Sequence, residues 1–107
     1  MICNDVIKVA DFGWSNNLGN RQTYCGTLNY MAPEIIERNY YDEMVDVWSL
    51  GVILYEITHG YLPFNDNQKI RSMTNFIQNV ETNIIKGALK IYNNINPRIK
   101  ALIQKML

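Results

Sequence analysis

Apolar positions come in bursts whose period changes along the chain. Ile7-Lys8-Val9-Ala10 alternates roughly, as a short strand does, and stops at Asp11-Phe12-Gly13. Residues 14–29 lose the pattern. Ser15-Asn16-Asn17, Gly19-Asn20 and Cys25-Gly26-Thr27 predict a surface loop, long for a connection without structure of its own. Pro33 suits the first position of a short helix, Pro33 to Arg38.

A stronger helix follows. Asp42 can cap it, and Glu43 and Asp46 sit near its positive end. Val45, Val47, Trp48, Leu50, Val52, Ile53, Leu54, Tyr55 and Ile57 cover almost every face, which predicts burial on all sides. His59 in the last turn, Gly60 and Pro63 mark the stop. Ile70, Met73, Ile77, Val80 and Ile84 recur at spacings of three and four, predicting an amphipathic helix ended by Gly87. Ala88 to Tyr92 reads as extended. Asn96 and Pro97 open a last helix with Ile99, Leu102, Ile103 and Met106 on one face. The central helix asks for more cover than these few elements offer, so the sequence reads as part of a larger core.

Composition narrows the classes. The 107 residues are 48% hydrophobic and 19% charged, which suits a globular chain and not a disordered tail. One modest core is all this length supports. Ten basic and ten acidic residues cancel, excluding a strongly basic nucleic-acid binder. Acids dominate residues 31–66, where Arg38 is the lone base, while residues 86–107 carry Lys86, Lys90, Arg98, Lys100 and Lys105 and no acid. Cys3 and Cys25 lack CxxC spacing and, with His59, make a poor zinc set; they suit a reducing compartment. Met1-Ile2-Cys3-Asn4-Asp5 lacks the basic start of a signal peptide. The run Val45–Ile57 carries Asp46 and Glu56 and falls short of the ~18 residues of a membrane span. The expectation is an intracellular protein, in cytoplasm or nucleus, with no membrane and no nucleic-acid partner.

Candidate chemistry lies in four motifs in fixed order. A carboxylate at a strand end beside a glycine, Asp11-Phe12-Gly13, can hold a divalent ion against phosphates. Ala32-Pro33-Glu34 begins 21 residues after Asp11, with Gly26-Thr27-Leu28-Asn29-Tyr30 between. Asp46-Val47-Trp48-Ser49-Leu50-Gly51 starts twelve residues after Glu34, and Gly60-Tyr61-Leu62-Pro63-Phe64 follows. In this order the sequence resembles the protein kinase family, from Val6 to Phe64 without a break and more loosely to Leu107. Gly26-Thr27-x-x-Tyr30-x-Ala32-Pro33-Glu34 looks like the serine/threonine branch. Trp14-Ser15 and Cys25-Gly26-Thr27-Leu28 look most like Aurora kinases, although the basic pair expected before Thr23 is half present, as Asn20-Arg21-Gln22-Thr23.

The resemblance implies a fold and a set of roles. The fold would be mainly α, part of a kinase C-terminal lobe with a short strand at its start, cut from an α+β parent. The chemistry would be phosphoryl transfer from ATP, with Mg2+, to serine or threonine of a protein substrate, with an activator protein as a further partner and, by the Aurora likeness, a spindle or centrosome location. Asp11, with Phe12 and Gly13, would hold the magnesium. Thr23 would be the activation-loop phosphosite, where a phosphate orders a loop if arginines lie opposite. Thr27 would support the acceptor hydroxyl, Glu34 would pair with an arginine later in the lobe, and Asp46 would be a buried acceptor capping the catalytic loop. Trp48 reads as core.

Several expected parts are missing from these 107 residues: no GxGxxG, no strand lysine in a V-A-I-K context and no H-R-D loop occur. The chain over 1–107 therefore reads as a kinase C-lobe fragment lacking the N-lobe, catalytic loop and final helix, inactive alone. The reading of another class is a non-catalytic, pseudokinase-like binding module.

Overall fold

The computed structural model describes residues 2–3, 6–7, 27–65 and 72–107. It begins with two short antiparallel strands, β1 (Ile2–Cys3) and β2 (Val6–Ile7), in the register Ile2 to Ile7 and Cys3 to Val6. The alternation predicted a strand over 7–10. Ile7 lies in β2, the pairing with β1 was not anticipated, and residues 8–10 fall outside the described part. Among the described residues the helices α1 (Pro33–Ile36), α2 (Met44–His59), α3 (Met73–Lys86) and α4 (Pro97–Met106) follow. This is the mainly helical architecture expected of a partial kinase C-lobe. Among the described residues, no helix is long and apolar enough to cross a membrane.

Local chemistry sets the helix ends. Pro33 opens α1 with Ala32 extended before it, where a missing N–H costs nothing. The helix stops two residues short of the expected Arg38. The Arg38 amide donates to the Ile35 carbonyl (3.1 Å) and the Asn39 amide to the Glu34 carbonyl (2.8 Å), the paired bonds of a Schellman stop. Arg38 sits in the left-handed region at φ 57°, a place that glycine fills more easily. The Asp42 carboxylate accepts the Met44 amide at 3.0 Å and starts α2. Gly60 (φ 79°) ends α2 and Gly87 (φ 61°) ends α3, both as the sequence predicts. Ser72 Oγ accepts the Asn75 amide at the head of α3, and Asn96 Oδ1 accepts the Arg98 amide at the head of α4.

The core gathers Leu28, Val52, Phe64, Val80 and Ile84, with Trp48 stacked on Phe64 at 5.6 Å, a core role as expected. α1 packs on α3, and α4 packs along α2. α2 and α4 approach closely at Gly51, where an added Cβ would lie 2.8 Å from the Met106 Cβ and 2.9 Å from Leu107 Cδ2.

Two expectations about faces are corrected. α2 is apolar all round but not buried all round: Leu50, Ile53 and Ile57 stand on one exposed stripe, because α4 and the core residues cover its other sides. Met73 and Leu102, assigned by period to buried faces, are exposed, whereas Val80, Ile84 and Ile103, assigned to the same faces, are buried as expected. Period locates a stripe, but the neighbour decides how wide it is. Residues 88–92 pair with no strand among the described residues.

Two stability outcomes follow from this geometry. Arg38→Gly relieves the left-handed strain and raises unfolding free energy by about 0.5–1 kcal/mol, offset in part by glycine's unfolded freedom. Gly51→Ala, although better for helix propensity, wedges α4 away and lowers it by about 1 kcal/mol net. Urea unfolding followed by circular dichroism checks both: a fall for the first or a rise for the second contradicts the packing described.

Candidate functional site

The segment from Thr27 to Glu34 is seated on α2. It turns through the Tyr30 amide donating to the Thr27 carbonyl (3.0 Å) and the Met31 amide to the Leu28 carbonyl (3.1 Å). Leu28 and Ala32 are fully buried beneath it. Two side-chain bonds then clamp it. Ser49 Oγ, on the α2 face toward the segment, donates to the Tyr30 carbonyl at 2.8 Å and also lies 3.1 Å from the Val45 carbonyl. The Tyr30 hydroxyl donates to Glu56 Oε2 at 2.7 Å. The α2 face that turns to the segment therefore carries a hydroxyl and a carboxylate seven residues apart, two turns of helix on one side.

Glu56 is the one acid of α2 beyond its first turn, and its partner is a phenol that gives up its proton's bonding to it. That hydrogen bond, then burial and the negative charge of Glu56, push the Tyr30 phenol above its ordinary 10.0. Tyr30 and Glu56 were not singled out as a pair by sequence reasoning. The available signal was an acid set in an otherwise apolar helix, which demands a partner.

The expected site residues fall into two groups. Thr27 is half-buried at the start of the seated segment. Glu34 is half-buried in the first turn of α1 and, with Tyr40, Tyr41 and Asp42, borders an open hollow of about 350 Å³. Asp46 lies in the first turn of α2 and is exposed; the H-R-D loop it is expected to cap does not occur in these 107 residues. Asp11, Phe12, Gly13 and Thr23 lie outside the described residues. Among the described residues no group of three His, Cys, Asp or Glu could hold a metal ion, so the magnesium assignment rests on Asp11 in sequence alone.

The whole chain, residues 1–107, matches the protein kinase domain family. It belongs to that family. An Aurora kinase of Dictyostelium discoideum is 40% identical over 103 residues, covering 94% of this chain and 25% of that protein. An Aurora kinase of Candida glabrata is 42% identical over 107 residues, covering 97% of this chain and 28% of its own length. The cAMP-dependent protein kinase catalytic subunit 3 of Drosophila melanogaster is 37% identical over 102 residues, 94% of this chain and 16% of that protein. The likeness to Aurora kinases inferred from the motifs is thus found across nearly the full chain, which spans about a quarter of the length of the Aurora relatives it matches.

The clamp has a pH signature. Because the folded value of Tyr30 lies above its unfolded one, its contribution to stability is complete below about pH 10 and is lost as pH rises through the folded value. Phenolate absorbance titrated on the chain and on Tyr30→Phe isolates this group. Its midpoint lies above 10.0 and falls when Glu56 is replaced in Glu56→Gln; a midpoint unmoved by that change contradicts the clamp.

Proposed function

We propose that this chain is part of an ATP-dependent serine/threonine protein kinase and carries its activation segment. The observation that supports this best is the fixed seat of residues 27–34, held to α2 by Tyr30–Glu56 and Ser49–Tyr30. Phosphoryl transfer needs little covalent chemistry from the protein and much positioning, so a rigid platform beside the acceptor hydroxyl is what the reaction asks for. On this reading Thr27 lies beside the acceptor serine or threonine of a protein substrate. Asp11, with Phe12 and Gly13, is the carboxylate that holds magnesium, which draws charge from the ATP phosphates when bound. Thr23 is the residue whose phosphorylation orders the segment, Glu34 meets an arginine beyond α4, and Asp46 caps the loop bearing the proton acceptor. An activator protein and an intracellular setting, cytoplasm or nucleus with the spindle as an Aurora-like destination, belong to the same reading.

These 107 residues contain no glycine-rich phosphate loop, no V-A-I-K lysine and no H-R-D loop. Residues 1–107 alone therefore leave the nucleotide unanchored and the acceptor proton without a base, and transfer no phosphate. The exposed stripe of Leu50, Ile53 and Ile57 favours the second reading, a non-catalytic module that docks through its helices. One pair of assays separates the two. Purified 1–107 with magnesium, labelled ATP and a basic peptide gives no transfer above blank. The same residues exchanged into the Dictyostelium discoideum Aurora kinase support phosphorylation of serine or threonine, and Asp11→Asn in that chimera lowers the rate by about a hundredfold or more. A folded chimera without activity would favour the binding module.

A further inference from the structure

Away from the segment, four aromatic rings meet where α2 ends. Tyr55 stacks flat on His59, with ring centroids 3.7 Å apart and planes 1° from parallel. Tyr61 stands edge-on to Tyr55 at 5.9 Å and 77° and to Tyr92 at 6.3 Å and 84°. Beside these rings lies a cavity of about 370 Å³, within the size range of small-ligand sites, bordered by Tyr55, Tyr61, Phe64, Asn83, Lys90 and Tyr92. No described acid borders it, and Lys90 is its one described cation.

Its walls are held before any ligand arrives. Tyr55 is pinned at both ends, by His59 under its ring and by its hydroxyl donating to the Lys90 carbonyl at 2.5 Å. That bond also ties residues 88–92 to α2. Asn83 Nδ2 donates to the Phe64 carbonyl at 3.2 Å and ties the 61–65 turn to α3. Tyr61 and Tyr92 keep their rings partly in water, at 40% and 59% exposure, so the site has faces free for contact on a backbone already fixed.

We propose that this cavity binds an aromatic ring bearing a carboxylate. Edge-on tyrosines offer a ring both a face and an edge, the arrangement aromatic pairs prefer over direct sandwiches. Lys90, the one described cation among the lining residues, favours an anion over an aromatic amine. The site lies outside the segment and the roles proposed above, and it does not depend on phosphoryl transfer.

The experiment titrates isotope-labelled 1–107 with phenylacetate, with the blocked dipeptide N-acetyl-Phe-Asp-amide, with benzylamine and with acetate, following amide resonances. Phenylacetate or the dipeptide shifts residues 61–65 and 88–92 with a millimolar dissociation constant, and the tighter of the two identifies a free acid or a peptide as the source of the ligand. Benzylamine and acetate shift them at least fivefold less at equal concentration. Tyr61→Ala and, independently, Tyr92→Ala weaken the acid at least fivefold, and Lys90→Met removes the preference over benzylamine. All three side chains are exposed, and circular dichroism confirms that each variant folds. Absence of shifts with both acids, equal shifts with benzylamine, or binding unchanged in both tyrosine variants overturns the proposal.

Discussion

A single helix must be at once the most apolar element of the chain and the support for a polar segment. α2 resolves this by sorting its residues around its circumference. Val52 and Tyr55 enter the core, Gly51 admits the end of α4, and Ser49 and Glu56 face the loop above. The Tyr30–Glu56 bond is what holds the arrangement together. A carboxylate on an apolar helix is tolerated where a donor meets it, and the donor comes from a residue 26 positions earlier. The same contact that satisfies the acid therefore fixes the height and angle of residues 27–34. Fold and platform share one interaction.

The close approach at Gly51 extends the argument to the opposite side of α2. With no Cβ there, Met106 and Leu107 press within contact of the α2 backbone, and Leu107 joins the partly buried residues around the core. α4 thus braces α2 from behind while Trp48 and Phe64 stack beneath the segment. The exposed stripe of Leu50, Ile53 and Ile57 is the remaining side, and it is as apolar as the covered ones. It accounts for the all-round pattern in the sequence without requiring that this set of elements cover it.

What was legible in the sequence was whatever is decided within a few residues. Asp42, Asn96-Pro97, Gly60 and Gly87 act on their own backbone neighbours, so their places as helix boundaries could be read directly. Arg38 could not, because a left-handed residue other than glycine has no local signature and is held there by the paired bonds around it. The strand pair at the start was half-read, since two-residue strands are too short to show a period. Leu102 and Met73 misled for a different reason: helical spacing names a face, but only a neighbour buries it. Of the site, Thr27, Glu34 and Asp46 were singled out only because they sit in motifs of fixed order and spacing. The clamp was not, because hydrogen-bond pairing across 26 residues leaves no pattern along the chain.

Asp46 and Glu56 show how one helix gives two acids different tasks. Asp46 sits in the first turn, where the helix end is partly positive and water reaches the carboxylate. Glu56 sits in the third turn beyond it, too far for that field, beside burying side chains. Its carboxylate accepts from the Tyr30 phenol, whose proton is thereby held more tightly than in water. A change that moved the segment would lengthen that bond and take the described donor away from the half-buried Glu56. The acid therefore resists displacement of the platform in a way that packing alone, which tolerates small shifts among smooth apolar surfaces, does not.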